Sequence, residues 1–547
     1  MGEREVQPPD EKSNSSGLSP FRFALYRTLW IAALFSYVGA AMYDVGASWL
    51  MTSLVPNPLF VSLITTATTL PIFLFALPSG ILSDIFDRRK ILFIALVYMS
   101  AISAALGIIT ILKLVTPTML LIFTFALGAG TTMIRTPIIP ILSGLVTRSE
   151  IPAALTLSAL AGNIGRVVGP TVGGFIVAGI APWTVFFLYS ASFIGMMMVI
   201  SKLSNKSDVY RHQEQSSLPR ENILRAMRAQ IRYIRYSKAV HILIVRSGLF
   251  TLCSSGLLSL LPFLVKHELG LDSIGFGLLL GSFGMGAVFG GIAILPKLRS
   301  MVSAESLISC SILLLALVMF LVGFVPNFNL LCIIMLLGGM AYITILSEFY
   351  TIGMKSAPKW IGSRVLAVYL LILNGGLAIG SIIWGIISNI FSIHIALAVA
   401  SLALATTVLA KKRYNSTLLD DFDFTPAIDH WSLPPQFSID SESDSQALII
   451  IEYNKIDPKL SREFEKDIYE LGRILKSEGM AYWELFQDPL DVGHYIEIRI
   501  ADTWTDHLRH HERVTKSVKV MEDKIRILIK DCPPPVVSHY LGKSNSK

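Results

Sequence analysis

Ionisable residues lie inside long apolar stretches of this sequence at five positions, namely Asp44, Arg135, Arg166, Arg246 and Glu348. A charge in hydrocarbon costs about 2.5–3.5 kcal/mol on the insertion scale, so it persists only when it is paired, hydrated or used. A carboxylate held out of bulk water and approached by a substrate or an arginine can take up and release a proton. We therefore expect proton coupling or a substrate cavity at four of these residues: Asp44, Arg166, Arg135 and Arg246. The alternative for Asp44 is a carboxylate at the outer water interface. For Arg135, Arg246 and Glu348 it is a side chain that reaches the membrane surface.

The composition changes sharply along the chain. The 547 residues are 53% hydrophobic and 16% charged, and 42 charged residues fall in 1–410 against 43 in 411–547. Ordinary soluble domains are roughly 45–50% apolar and about 25% charged. A wholly soluble protein and a wholly membranous one are both excluded. In a membrane protein Lys and Arg report orientation, so the net charge of +7 gives no indication of a nucleic-acid partner.

Twelve apolar runs are long enough to cross a bilayer as helices, since about 20 residues are needed to span about 30 Å. The alternate loops carry nearly all the basic residues, which predicts that both termini are cytoplasmic. The predicted spans are 29–52, 59–81, 91–112, 117–140, 154–179, 183–201, 239–264, 273–295, 304–323, 328–350, 365–390 and 393–410.

The two sets of six spans are related by an internal repeat. When the sequence is aligned with itself at an offset of 211 residues, Arg88 aligns with Arg299. Three glycines also align with three glycines, namely Gly165, Gly169 and Gly174 with Gly376, Gly380 and Gly385. Secondary transporters are commonly built from such repeats. The alternative is unrelated small-residue packing between helices.

A short loop after the second span contains Gly80, Asp84, Arg88 and Arg89. The glycine permits close helix approach, and Asp84 is placed to meet a helix N-terminus or an arginine across the bundle. This spacing resembles the loop motif of the major facilitator superfamily, although Asp87 stands where that motif has glycine. The resemblance implies the twelve-helix fold of that superfamily, in two six-helix halves. It also implies a conformational gate at these residues, to which we add Glu348.

The fifth span contains a second glycine motif, made of Gly165, Gly169, Pro170, Gly173 and Gly174. Glycines four apart let helices touch, and proline permits a kink. The motif is similar to one found in the fifth helix of exporters of the same superfamily. With Trp49 and Arg166 it resembles the branch of transmembrane secretion effectors that includes enterobactin and macrolide-type exporters. The resemblance implies proton-coupled export of a hydrophobic drug-like or siderophore-like molecule across a bacterial inner membrane.

The last quarter of the chain predicts an acidic linker over 414–446 and a folded cytoplasmic domain over 447–547 with the order β-α-β-β-α-β. This order and the segment 504–513 resemble the ferredoxin-like, monooxygenase-related α/β-barrel domain, which implies a regulatory or dimerising module. His507 and His511 share a helix face, but without a matching carboxylate or cysteine pair we expect solvated surface there and no metal site.

The remaining divisions are a tail over 1–20, six-helix halves over 21–201 and 239–413, and a basic loop over 202–238. We expect no cofactor, no catalytic residue and no ATP site, because the spans contain no phosphate-binding loop. The expected partners are the lipid bilayer, a small molecule and protons. Two alternatives stay open: uptake of a small metabolite or lysolipid, and a membrane-tethered enzyme or sensor. The substrate itself cannot be identified from the sequence.

Overall fold

The computed structural model describes residues 18–203, 235, 237–355, 359–412, 445–477, 480–513, 516–530 and 532–542. The predicted linker and most of the basic loop therefore lie outside the described residues. The part up to residue 412 is helical, and its helices are α1 (Ala24–Leu54), α2 (Pro58–Ile85), α3 (Arg88–Ile111), α4 (Pro117–Ser143), α5 (Ile151–Gly179), α6 (Pro182–Leu203), α7 (Lys238–Phe263), α8 (Ser273–Phe289), α9 (Leu295–Met301), α10 (Ala304–Phe324), α11 (Phe328–Lys355), α12 (Lys359–Ile390) and α13 (Ile393–Thr406).

Eleven helices among the described residues are long and apolar enough to cross a membrane, and a shorter apolar helix covers Ile393–Leu409. Helices α8 and α9 form one of the eleven, because a π-helical turn over Gly290–Ile294 joins them. The predicted fold class is confirmed, and the twelfth predicted span is this shorter helix. Short polar loops set the helix boundaries: the Asn57, Asp272 and Ser392 side chains each accept a hydrogen bond from a backbone N–H in the first turn that follows.

The helices form two bundles with separate apolar cores. One core is built by α1–α6 around residues such as Tyr26, Leu92 and Phe186, and the other mainly by α7–α13 around residues such as Phe250 and Met319. Two helix pairs make most of the contacts between the bundles, α2 with α12 and α5 with α8. These four helices therefore form the junction between the halves.

The repeat seen in the sequence is present in the packing. Gly165 and Gly169 lie against α1 of their own half, and their counterparts Gly376 and Gly380 lie against α7 of theirs, with backbone atoms close to where each side chain would be. The third pair of repeat-related glycines, Gly174 and Gly385, makes contacts between the halves. Gly174 contacts Ser273, and Gly385 contacts Ser62. Ser62 and Ser273 are themselves 211 residues apart. The same contact is thus made twice, with the halves exchanged.

The C-terminal part contains β1 (Ala447–Tyr453), α14 (Ser461–Ser477), β2 (Tyr482–Gln487), β3 (Tyr495–Ala501), α15 (Trp504–Arg513), α16 (Lys516–Leu528) and β4 (Val536–Leu541). Its four strands form one sheet in the order β2-β3-β1-β4, with every neighbouring pair antiparallel. The second predicted helix is present as two segments, α15 and α16. The apolar sides of α14 and α16 pack on one face of the sheet, against Ile449 and Ile451.

Alternation along β3 places charged residues in this core. Tyr495, Glu497, Arg499 and Ala501 are buried, whereas Ile496, Ile498 and Ile500 point to the opposite face and are half-buried. The three isoleucines share a face as predicted, but that face is the one opposite the helices. His507 is buried too, with its ring 5.1 Å from that of Trp504, so the prediction of solvated surface there is wrong.

Candidate functional site

Among the described residues, hydrogen bonds between the two halves lie toward the loops that carry few basic residues. The Lys266 ammonium donates to the Ser53 hydroxyl at 2.6 Å and lies 5.3 Å from the Trp49 ring centre. The Thr66 and Ser381 hydroxyls are 2.7 Å apart, and the Ser273 hydroxyl donates to the Gly174 carbonyl at 3.1 Å. These bonds close the predicted outer side of the junction.

Arg166 lies about midway along α5, in the middle of the junction between the halves. A Cβ built at Gly284 of α8 would lie 2.6 Å from the Arg166 carbonyl oxygen, so the backbones of the two halves touch at this level. The Arg166 side chain is exposed and donates to the Asn163 side-chain oxygen at 3.2 Å. Nearer the predicted cytoplasmic end of α5, Leu155, which shares the helix face of Arg166, is also exposed. Arg166 therefore stands at the inner limit of the closed region.

Several polar groups surround Arg166 from both halves. Arg135 of α4 is exposed and interacts electrostatically with Arg166 and with Tyr37 of α1. Tyr342 of α11, in the other half, also interacts electrostatically with Arg166. Two exposed arginines, each near one phenol group, can hold an anionic or hydrogen-bonding ligand with an aromatic body.

Asp44 has its own surroundings. It interacts electrostatically with Tyr43 and with Tyr189 of α6, and the Tyr43 hydroxyl lies 2.8 Å from that of Thr124. The Asp44 carboxylate is exposed although both tyrosines are buried. The carboxylate is thus accessible while bordering a layer of phenol groups within the first half.

Arg246 lies away from this group. Its guanidinium donates to both carboxylate oxygens of Glu305, at 2.7 and 2.9 Å, and both side chains are buried. Such a two-bond pair satisfies each charge. The arrangement favours a structural tie between α7 and α10 over a cavity role for Arg246.

The predicted gate residues fall in two places. Glu348 accepts from the Arg299 Nε at 2.7 Å, and Arg299 also donates to the Ser347 and Thr351 hydroxyls. Arg299 is the repeat counterpart of Arg88. In the second half, the basic residue Arg299 after the second predicted span is therefore hydrogen-bonded to α11.

In the first half, Asp87 replaces the usual glycine and caps α3 by accepting from the Arg89 N–H at 2.9 Å. Arg88 and Arg89 are half-buried, and the Asp84 side chain lies outside the described part. Among the described atoms, none lies within 4 Å of a Cβ built at Gly80, so the close approach expected there is not made in this conformation.

The fifth-helix motif is packed as its spacing predicts. Gly165, Gly169 and Gly173 lie against Tyr37, Ala41 and Met42 of α1, and Gly174 lies against α8. A Cβ at Gly277 would meet the Pro170 carbonyl oxygen at 2.5 Å. The motif therefore joins the first helix of one half to the second helix of the other.

Sequence reasoning missed the partners of these groups. Glu305 and Arg299 sit at helix ends, where charges look solvated, and Tyr37, Tyr189 and Tyr342 look like ordinary apolar residues. The repeat offset was the available signal for Arg299. The tyrosines gave none, because only the packing of separate helices brings them near Asp44 and Arg166.

Solved transporter structures share the membrane fold. A bacterial homologue of the lysosomal transporter Spinster, in an inward-facing unoccupied conformation, matches with a TM-score of 0.56 at 14% identity, covering 73% of this chain and 96% of that one. The nucleoside transporter NupG matches with a TM-score of 0.54 at 14% identity, covering 71% of this chain and 98% of that one.

Two of the curated relatives are an efflux pump and an exporter. The multidrug efflux pump Tap of Mycolicibacterium fortuitum is 22% identical over 389 residues, which is 66% of this chain and 89% of the relative. The enterobactin exporter EntS of Escherichia coli is 23% identical over 365 residues, 66% of this chain and 84% of the relative. Family and structural neighbours alike are transporters and not enzymes. Because the profile of the family described as transmembrane secretion effector matches residues 15–547, this multi-pass membrane protein belongs to that family of major facilitator transporters.

Proposed function

We propose that this chain is a secondary active exporter that exchanges protons for a hydrophobic, drug-like or siderophore-like small molecule by alternating access. The observation that carries the proposal is the packing of the fifth-helix motif, in which Gly165 and Gly169 touch α1 while Gly174 touches α8 of the other half. The motif resembles that of exporters, and the efflux and export named for two relatives support the same direction.

The proposed membrane is the bacterial inner membrane, with both termini in the cytoplasm, as the basic loops favour. The closed contacts at Ser53 and Lys266 then lie on the outer side, and the open surface near Leu155 faces the cytoplasm. A substrate would enter from the cytoplasm or the inner leaflet and reach Arg166, Arg135 and Tyr342 at the closed end of the cavity.

Transport direction is tested with inside-out membrane vesicles energised to acidify their interior. The probe is Hoechst 33342, whose fluorescence changes when it leaves the membrane for water. Vesicles containing the protein should accumulate the dye faster than vesicles without it. Outward movement of the dye from these vesicles would instead indicate an importer.

We assign proton coupling to Asp44, whose accessible carboxylate adjoins Tyr43 and Tyr189. The test compares Asp44→Asn with Asp272→Asn in proteoliposomes under an imposed pH gradient. Asp272 caps α8 at the predicted outer side, and asparagine caps a helix equally well, so the control makes the same chemical change without touching the cavity. Asp44→Asn should lose gradient-driven dye exchange while still binding dye, and Asp272→Asn should keep both. Undiminished exchange by Asp44→Asn would exclude this assignment.

For the C-terminal part we propose a ferredoxin-like domain that forms a homodimer. The order β2-β3-β1-β4 with antiparallel neighbours is the order expected of that fold. On the sheet face opposite the helices, Leu448 pairs with Ile500 and Ile450 with Ile498 across β1 and β3, and Tyr482 and Phe486 are exposed on β2 on either side of Glu484. A largely apolar sheet face of this kind is a candidate interaction surface, and a second copy presents the same face.

The dimer is tested by counting subunits of the full-length protein in lipid nanodiscs by single-molecule photobleaching. Wild type should bleach in two steps. Ile498→Lys should give one step, and Val520→Lys, an equivalent change on the exposed side of α16, should still give two. A one-step wild type would rule out this surface as a dimer contact.

A further inference from the structure

A cavity of about 480 Å³ lies inside the C-terminal domain, between the helix-covered face of the sheet and α16. Its walls are mostly apolar, with Ile451 from β1, Leu471 from α14 and Ile525 and Ile529 from the α16 side. Cavities that hold small molecules usually measure about 300–1,000 Å³ and combine such walls with a few placed polar groups. The size and lining therefore suit a compact organic molecule.

The polar end of this cavity is built on a fully buried carboxylate. Glu497 accepts hydrogen bonds from the Trp483 indole and the Arg499 Nε, both at 2.6 Å, and from the Tyr453 hydroxyl at 2.9 Å. Burial and the neighbouring Glu497 raise the pKa of Tyr453 well above its ordinary value, so this phenol stays protonated and remains a donor. Glu497 is thus satisfied by three donors, and it fixes the orientation of Arg499.

Arg499 presents the rest of its guanidinium to the cavity, which it lines. Burial disfavours its charge, but Glu497, with smaller contributions from Glu522 and Tyr453, outweighs that effect, so the pKa of Arg499 is raised above its ordinary value. Its Nη1 lies 3.8 Å from the Glu522 carboxylate, which is too long for a hydrogen bond. Glu522 on α16 therefore acts as a counter-ion of Arg499 without a direct hydrogen bond to this nitrogen.

The remaining charges favour an anion. Arg526 and Lys530, both exposed, also line the cavity, so three cations stand against two carboxylates, Glu522 in the wall and Glu497 behind Arg499. A buried ion pair is not in itself a gain in stability, because well-packed apolar residues of similar size do as well or better. A planar guanidinium held in one orientation matches a carboxylate with two parallel hydrogen bonds.

We propose that this cavity binds a small organic acid, with an aromatic or short aliphatic body against Ile451, Leu471, Ile525 and Ile529 and its carboxylate on Arg499 in place of Glu522. The proposal concerns the C-terminal domain and does not depend on the direction or coupling of transport. It gives the domain a ligand-sensing role.

The first experiment measures binding of 1-naphthoate to the full-length protein in nanodiscs by calorimetry, with protein-free nanodiscs subtracted. The neutral analogue 1-naphthalenemethanol should bind at least tenfold more weakly, because it cannot form the charged hydrogen bonds. Arg499→Gln should weaken naphthoate binding by about tenfold or more for the same reason. Arg473→Gln, an equal charge change on the exposed side of α14, should leave it unchanged.

Glu522→Gln supplies a result that misfolding cannot imitate. Removing the competing carboxylate should tighten naphthoate binding severalfold while leaving the neutral analogue unaffected. Equal binding of the two probes to the wild type, or Glu522→Gln binding naphthoate no more tightly than wild type, would overturn the proposal.

A second readout locates the ligand. Cys532 lines the cavity and is partly exposed, so its alkylation by a maleimide can be followed in a Cys310→Ser, Cys332→Ser background, where Cys253 is buried. Saturating 1-naphthoate should slow this alkylation at least severalfold, and 1-naphthalenemethanol at the same concentration should not. Unchanged alkylation with bound naphthoate would place the binding elsewhere and overturn the assignment.

Discussion

Individual charged residues in this protein have different roles that depend on their partners. Arg166 and Arg135 are exposed at the junction of the halves, whereas Arg246 is buried in a two-bond pair with Glu305. All three look alike in the sequence, as basic residues within apolar runs. A partner 59 residues away, as Glu305 is from Arg246, cannot be assigned by spacing. The sequence therefore predicted which charges were unusual but not which of them were paired.

The Arg246–Glu305 pair can be tested through stability. Arg246→Met should lower the free energy of unfolding by about 3–5 kcal/mol, because it leaves the Glu305 carboxylate buried without its partner. The double variant Arg246→Met/Glu305→Leu should recover most of this loss. The measurement is thermal unfolding of the purified variants in one detergent. A double variant as unstable as the sum of the two single variants would contradict the pairing.

Helix positions and types were largely predictable, because length and apolar composition determine which segments can span a bilayer. The boundaries were less so. The sequence put the third span from 91, yet Asp87 caps α3 and the helix begins at Arg88. At helix ends such as this one, polar residues continue the helix beyond the hydrocarbon. Hydrophobicity therefore does not show where the helix begins. In the C-terminal domain the β3 alternation was recognised, but the buried side proved to be the one with Glu497 and Arg499.

The glycine contacts at the junction give a prediction for α5. Gly174→Leu should reduce transport at least tenfold, since a side chain there would meet the Ser273 carbonyl oxygen, which lies 2.5 Å from the built Cβ. A Cβ built at Gly179 in the same helix has no atom of the described residues within 4 Å, so the Gly179→Leu variant should transport normally. Dye transport by equal amounts of each variant in proteoliposomes measures this. Equal activity of the two variants would show that the contact is not needed.

For the whole molecule, the closure at the Gly174–Ser273 and Gly385–Ser62 contacts should be one of at least two states that the proposed alternating access requires. The Ser62 Cβ lies 3.0 Å from a Cβ built at Gly385, which is below the roughly 3.5–4.5 Å of a disulfide, so the two helices must part by about half an ångström for the bond to form. The double variant Ser62→Cys/Gly385→Cys, in a background with the other accessible cysteines replaced by serine, should therefore cross-link under oxidation. Dye transport should stop on oxidation and return on reduction.

Each single-cysteine variant serves as the control and should be insensitive to oxidant. Transport that continues at full rate through complete cross-linking would mean that this junction does not open during the cycle.

The exchanged contacts Gly174–Ser273 and Gly385–Ser62 have a mechanical consequence. These two contacts, called seams below, are equivalent and lie on either side of the pseudo-twofold axis that relates the halves. Opening one seam while the other stays closed would break this symmetry, so neither seam serves as a hinge for the other. Under the proposed alternating access, halves that move as rigid bodies would separate at both seams in the same event, so opening on the predicted outer side would be cooperative. A molecule with one seam weakened would open more readily as a whole and would not leak along one side.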